Sequence, residues 1–402
     1  MAYEFTNIPA HWSIKKMPEV VKWGSGGTPK ATEKMYYENG TIPWLIIGDL
    51  NDGIVTDSTT KITELGLKNS SAKMIPVGTL LVAMYGSIGK LGITGIECCT
   101  NQAIAYAKHL YGVTTKFMYY YMALIKSELI GMGKGGTQKN ISQTVLNSLY
   151  VPVPPLEEQD YIVARIEELF SELDNGVETL RKTKQQLAVY RQAVLKDAFC
   201  GIDMFASLQS ISERIFDGPF GSNLKTADYT TSGVRVVRLE NLKEGWFDDS
   251  KQSFVTQEKY DTISSHTVYP TDLIMSTFIA DSIKVCRLPK YIGYAVNKAD
   301  CIGIRLKSGY LQQFVMYYLM TKAAYNALVH EVHGATRPRV NTKQIKNMSI
   351  PICNEAQQKV IVSEIESRLS VCDSIEKTVD TALQQAEAMR QSILKKAFEG
   401  SL

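Results

Sequence analysis

The chain has 402 residues, 45% hydrophobic and 21% charged, with a formal net charge of +3. That is the composition of an ordinary globular protein with room for two or three domains, and it excludes a histone-like polybasic binder. The longest apolar-aromatic run, FMYYYMALI at 117–125, is too short to span a bilayer. No secretory h-region opens the sequence, and the seven cysteines show no CxxC spacing. A reducing, cytoplasmic setting without a membrane is therefore expected, and no disulfide or zinc framework.

Residues 1–150 alternate short β-type runs with glycine turns: WLIIGDLNDG at 44–53, then GTLLVAMYGSIGKLGI at 78–93. A helical segment, FMYYYMALIKSELI at 117–130, leads into the loop GMGKGGTQKNIS. Such a mixture predicts an α+β domain. Residues 202–350 follow the same plan, with VVRLENLKEG at 236–245, TDLIMSTFIADSIKV at 271–285, FVMYYLMTKAAYNALV at 314–329 and the loop HGATRPRVN. Gly24 and Gly27 match Gly218 and Gly221 at an offset of 194, and the offset drifts between 192 and 199 inside these blocks.

After each block comes the stretch around which the chain is organised. VPVPPLEEQDYIVARIEELFSELDNGVETLRKTKQQLAVYRQAVLKDAFCG at 151–201 recurs without a gap at 350–400, offset by 199. Pro152, Pro154 and Pro155 precede the first copy, and Gly201 and Gly400 stop the two copies. Each reads as a helix of about 44 residues, about 66 Å long. Apolar residues recur every seven, at Ile166, Leu173, Leu180, Leu187 and Val194, then at Ile365, Cys372, Val379, Ala386 and Ile393. That repeat predicts a left-handed coiled-coil seam. With short connections the second helix must run back along the first, placing the globular halves at opposite ends of a rod about a rough two-fold axis. The expected blocks are 1–153, helix 154–201, 202–352 and helix 353–402. Lys plus Arg outnumber Asp plus Glu by 14 to 10 in 1–150 and by 18 to 14 in 202–350, and are outnumbered in both helical stretches. The globular halves thus carry a modest bias toward polyanions.

The ordered set GGTPK at 26–30, IPWLIIGDL at 42–50, GGTQKNIS at 135–142, VPVPPLEEQ at 151–159, GPFGSNLK at 218–225 and the helix ends YRQAVLKDAF and MRQSILKKAF covers essentially the whole chain. It resembles the DNA-specificity (S) subunit of type I restriction–modification systems. The resemblance implies two similar α+β target-recognition domains separated by two long antiparallel coiled-coil helices. Each domain would read one part of a bipartite double-stranded DNA target. The helices would set the spacing and dock two methyltransferase subunits, and through them restriction subunits. No cofactor is expected in this chain, and S-adenosylmethionine would belong to the partner. The second copy departs from the first where NEAQQ replaces LEEQD. The alternatives are the recognition subunit of a related methylation-only or other restriction-type system, an enzyme with unrecognised nuclease or methyltransferase chemistry, and a coiled-coil scaffold that does not touch DNA.

Candidate contacts follow from side-chain chemistry. YGSIGKLG at 85–92 lacks the Ser/Thr and spacing of a P-loop; it is either a plain β-turn or a phosphate grip using Ser87 and Lys90. The loops before the helices offer Lys134, Thr137, Gln138 and Lys139 in one half, and His333, Thr336, Arg337 and Arg339 in the other. Gln can bond adenine bidentately and Arg guanine, so Gln138 and the pair Arg337 and Arg339 are the preferred base readers. Lys30, Ser222, Asn223, Lys225 and Lys284 complete the expected DNA contacts. No arginine occurs before Arg165, whereas the second globular half has seven. The helix ends supply expected partner contacts: Arg191, Gln192, Leu195 and Phe199, with Arg390, Gln391, Leu394 and Phe398. His330 and His333 fall one residue short of an HExxH zincin, so no metal is expected, and no methyltransferase tetrapeptide, nucleophile elbow or nuclease cluster appears. The chain is read as non-catalytic.

Overall fold

Two helices carry the proline-to-glycine stretches, Leu156–Ala198 and Glu355–Phe398. Gly201 and Gly400 adopt φ of +81° and +66° just beyond them, the left-handed stop that glycine makes without a Cβ penalty. The second helix opens differently from the first: Asn354 caps it, its Oδ1 accepting from the Gln357 backbone N–H at 2.9 Å. That is the place of Pro155 in the first copy, so NEAQQ answers PLEEQ rather than LEEQD, and the cap explains the departure there. The computed structural model describes residues 8–135, 139–329 and 339–402, with Ser222 in its backbone alone. By contacts the chain forms two compact units, Met1–Leu180 with Thr381–Leu402, and Arg181–Asp380.

In the first unit a five-stranded sheet runs in the order Val21–Ser25, Ile104–Leu110, Leu80–Ala83, Leu91–Thr94 and Gly53–Val55. The run IPWLIIGDL does not continue as strand: Ile42–Leu45 joins a separate three-stranded sheet, and Ile47–Asp49 turns as a 3-10 helix. The helical run breaks at Ile125 into Thr115–Leu124 and Lys126–Met132. The sheet packs on Phe117, Met118, Tyr121 and Met122, and the same core takes Ile162, Val163 and Ile166 from the first long helix. It also takes Leu394, Ala397 and Phe398 from the far end of the second.

The second unit repeats this with its own residues. Its four-stranded sheet runs Ser212–Phe216, Cys301–Leu306, Asp272–Ser276 and Val285–Arg287, covered by Gln312–Leu319. A second four-stranded sheet is built on Val234–Val237 and Ala295–Asn297, paired in parallel. Val362 and Phe199 enter this core as Val163 and Phe398 enter the other. In both sheets a glycine faces an aromatic ring across the strands, with the roles exchanged. Gly24 lies under Tyr106 in the first unit, and Gly303 under Phe216 in the second. The expected match of Gly24 with Gly218 is thereby corrected: Gly218 corresponds to Gly26, and Gly24 to Phe216.

Along the helices, pairing inside each unit is antiparallel. In the second, Lys184 meets Asp380 at 2.6 Å, Arg191 meets Asp373 at 2.7 Å and Arg368 meets Asp197 at 3.2 Å. Numbers rise on one helix as they fall on the other. In the first, Arg390 pairs with Asp174, the repeat-mate of the Arg191–Asp373 pair. Half-exposed ion pairs add little stability, but they discriminate register. Every expected seam residue is buried or half-buried.

Both helices start on a buried glutamine, Gln159 and Gln358, each wholly enclosed. Gln159 accepts from the Thr114 N–H at 2.9 Å and donates to the carbonyls of Gly112 and Pro154. Gln358 does the same with Leu311, Gly309 and Cys353. Each clamp satisfies one donor and two acceptors where water has no access. Replacing Gln159 or Gln358 by alanine should therefore destabilise the chain by about 2 kcal/mol or more. Denaturant unfolding of the full chain measures it, and a cost near zero contradicts the clamp.

Candidate nucleic-acid interface

Glycine at positions 26 and 218 lets one loop lie directly on another. A Cβ on Gly26 would sit 2.1 Å from the Thr100 carbonyl oxygen, and one on Gly218 would sit 2.1 Å from the Lys298 carbonyl carbon. The loop Gly26–Lys30 is therefore held on the turn 100–103: Gly27 N–H donates to Thr100 at 2.8 Å, and Thr28 Oγ1 donates to Gln102. The same turn reaches the strand end, where Met84 N–H donates to the Ala103 carbonyl at 2.8 Å. Ile141 N–H in turn donates to Met84 at 2.9 Å, and Gly86 N–H to Lys139 at 3.3 Å. Four loops distant in sequence thus form one cluster.

The second unit builds the same cluster. Asp217 accepts from Gly218 N–H at 2.7 Å and Asp300 N–H at 3.1 Å, and burial pushes its carboxyl pKa up against the pull of those donors. Thr277 N–H donates to the Asp300 carbonyl at 3.0 Å, and Val340 N–H to Thr277 at 2.9 Å.

Eight of the fifteen expected DNA contacts are exposed residues of the two units. Lys30, Ser87, Lys134 and Lys139 are exposed in the first; Asn223, Lys225, Lys284 and Arg339 are exposed in the second. Lys30 pairs with Glu33 at 3.0 Å. Lys90 lies in a hairpin turn with Gly86 and Gly89 at positive φ, and its Nζ donates to the Ile47 carbonyl at 3.3 Å, so it is tied to backbone in this state. Arg339 pairs with Asp300 and stacks over Phe278, its Cζ 5.5 Å from the ring centroid. Thr137, Gln138, His333, Thr336 and Arg337 lie outside the described residues, as does the Ser222 side chain.

Sequence reading passed over the turn residues Asn101, Gln102, Lys298 and Asp300, and Asn140 beside them. The turns TNQA and NKAD lie between short strands and carry no glycine or charge run to mark them. The structure also sorts the arginines. Arg235 is buried against Asp249 at 2.6 Å, and Arg305 holds the buried Asp272 with two bonds, at 2.9 and 2.7 Å. Both are structural.

The structure places most of the expected partner contacts in the chain's own packing. Leu195, Leu394 and Phe398 are fully buried in the chain's own packing, and Phe398 stacks on Phe117 and Tyr121 with centroids 4.9 and 5.6 Å away. Phe199 packs likewise on Phe314 and Tyr318, and Gln192 donates to the Met320 carbonyl at 3.2 Å. Arg191 and Arg390 hold the helix pair together, leaving Gln391 exposed. These groups fill seams that the chain itself requires.

The family model described as the type I restriction modification DNA specificity domain matches residues 9–187 and 224–385. The chain belongs to that family. Its curated relatives include the EcoKI specificity subunit of Escherichia coli K12, 22% identical over 98% of this chain and 90% of that one. Another is the MjaIX specificity subunit of Methanocaldococcus jannaschii, 22% identical over 86% and 84%. Among solved structures, a chain from work on assembly and conformational transition of the type I R-M system superposes with a TM-score of 0.76, at 17% identity, covering 99% of this chain and 100% of that one. The HsdS subunit of Thermoanaerobacter tengcongensis superposes at 0.52, at 16% identity, covering 98% of each. These likenesses extend over both repeats, and the specificity-subunit fold is therefore that of the whole chain.

Substituting the two close-approach glycines tests the loop cluster. Gly26→Ala and Gly218→Ala should each destabilise the chain by about 1–3 kcal/mol through overpacking. Gly131→Ala, in a helix with nothing within 4 Å, should instead stabilise by about 0.5–1 kcal/mol. Denaturant unfolding reads both signs, and equal effects would sink the account.

Proposed function

We propose that this chain is the sequence-specific DNA-binding subunit of a type I restriction–modification complex. Its recognition domains span 1–153 and 202–352, each reading one part of a bipartite duplex target. The observation that carries this is the same loop cluster built twice on one scaffold with different side chains at its surface. Two equivalent readers with unlike chemistry suit a target whose halves differ in sequence. Exposed lysines on the clusters hold phosphates and fix register, while amides and arginine meet base edges. Gln138 and Arg337 belong to that set on their chemistry.

The chain itself carries out no reaction. Two methyltransferase subunits bind S-adenosylmethionine and methylate adenine, extruding the target base into their own pockets. Restriction subunits attach through them. Fixed helix length sets the unread spacer, because the repeat offset never changes along the helices while it drifts in the domains. Inserting seven residues into each long helix, after Leu180 and after Asp380, keeps the heptad phase and adds about 10 Å, roughly three base pairs. Methylation mapping in cells carrying the chain with its partner should show both half-sites unchanged and the spacer three longer. An active variant with the original spacer refutes the ruler, and a wild type that directs no methylation motif refutes the function.

Partner docking then falls on the exposed apolar residues of the helices. Tyr190, Val371 and Ile375 are 50%, 58% and 40% exposed in one unit, and Met389 is 54% exposed in the other. Met389 borders an apolar groove of about 370 Å³ with Leu173, Gly176, Val177 and Ala386. A methyltransferase helix laid across this face would bury it. Ile375→Glu and Met389→Glu should each weaken association with the methyltransferase subunit at least tenfold while the chain keeps its unfolding midpoint; unchanged association overturns this placement.

A further inference from the structure

The two loop clusters share two backbone hydrogen bonds and one bridge, which makes the positions these join comparable between the domains. Met84 N–H bonds Ala103 as Thr277 N–H bonds Asp300, and Ile141 N–H bonds Met84 as Val340 N–H bonds Thr277. Bridges join Tyr85 to Asn140 in one domain and Phe278 to Arg339 in the other. Asn140 is therefore the counterpart of Arg339, Ala103 of Asp300, and Met84 of Thr277.

In the second domain these residues form a connected set. Asp300 Oδ1 accepts from Arg339 and from Thr277 Oγ1 at 3.1 Å, and the guanidinium lies over the Phe278 ring. Asp300 itself is fixed at φ +73°, its N–H bonded to Asp217. One side of the guanidinium is thus committed, and 49% of the side chain remains exposed. In the first domain all three polar members are replaced together. Ala103 cannot hold an arginine, Met84 cannot bond a carboxylate, and the reader position carries an amide instead. Among the described residues, the Asn140 Oδ1 takes a 3.4 Å contact from Gly86 N–H, a bond weak enough to surrender to a base edge.

We propose that position 140/339 is a shared base-reading position, at which Arg339, oriented by Asp300, reads guanine in one half of the target and Asn140 reads adenine in the other. The inference rests on the DNA-recognition function proposed above. Arginine matches the O6 and N7 acceptors of guanine with two donors, and asparagine matches the N6 and N7 of adenine. The carboxylate is a positioning group: it fixes the fork at no rotamer cost on binding. The exchange of acid and base as a set between the domains is what a change of base preference on a constant scaffold requires.

Selection from a randomised duplex pool by the full chain assembled with its methyltransferase subunit tests this. The wild type should recover a bipartite consensus with guanine in one half and adenine in the other. Arg339→Lys keeps the charge and the Asp300 partner but loses the fork. It should lower the guanine preference at one position by roughly 5- to 150-fold and overall affinity far less. Asp300→Asn keeps the tolerance for positive φ and should weaken that same preference while other positions hold, which a merely structural role would not produce. Asn140→Ala should relax a single adenine position in the opposite half. An unchanged consensus, changes from both sites in the same half, or a uniform loss across all sequences with a shallower salt dependence overturns the proposal. Failure of the wild type to select any consensus removes the recognition function and the proposal with it.

Discussion

The burial of Phe398 against Phe117 and Tyr121 is the contact on which the first unit depends. It joins the last turn of the chain to a helix in its first third, and it is one of the most distant closures the sequence allows. Burying such a ring contributes about 1.5–3 kcal/mol, so the first core is incomplete until the C-terminus has arrived. Phe199 with Phe314 and Tyr318 is the same closure in the second unit, made from the other helix. Each globular fold is finished by a helix end that belongs to the other repeat, so neither half of the sequence encodes a complete unit on its own.

That closure would be ambiguous without directional contacts, because a heptad seam of mixed aliphatic residues tolerates slips. The wholly enclosed Gln159 and Gln358 fix where each helix begins, since a shifted helix would strand an N–H and two carbonyls in a dry site. The arginine pairs with Asp373 and Asp174 fix where the helices meet. Gly176 and Ala386 leave the seam of the first unit open as a groove, whereas their repeat-mates Ile375 and Leu187 are large. The helix pairing in each unit is therefore alike in register while differing in surface relief.

How far the sequence foretold this follows the physics of each signal. Helix limits were readable to within a few residues because proline and glycine act locally and the heptad is periodic. The strand runs and the doubled plan were readable for the same reason. The breaks at Ile125 and around Met320 were not, since neither glycine nor proline marks them and the polar residues that follow, Lys126 to Glu128 and Thr321 with Lys322, can equally continue a helix. Matching Gly24 to Gly218 failed because loops of unequal length move the offset, and only cross-strand contacts locate the true counterpart, Gly26. The role of the helix-end residues was not readable for a different cause. A repeated motif at a helix end shows that the residues are needed, but not whether a partner or the chain's own core needs them. At the loop clusters, basic loop residues such as Lys139 and Lys225 stood out by composition, while Asp300 and Asn140 acquire meaning only from what lies across from them.

The two kinds of difference between the repeats separate structure from recognition. In the sheets, Gly24 with Tyr106 becomes Phe216 with Gly303: the residues change places, but one ring still fills one gap. Packing density allows that exchange and little else, because a second ring would clash and a second glycine would leave a cavity. In the loop clusters, Thr277, Asp300 and Arg339 answer to Met84, Ala103 and Asn140, and the set keeps neither its charges nor its volumes. A fold requirement would have preserved one of those quantities. What persists is the backbone bonding that presents them, and a surface whose frame is fixed while its chemistry is free to change is what reading two different half-sites demands.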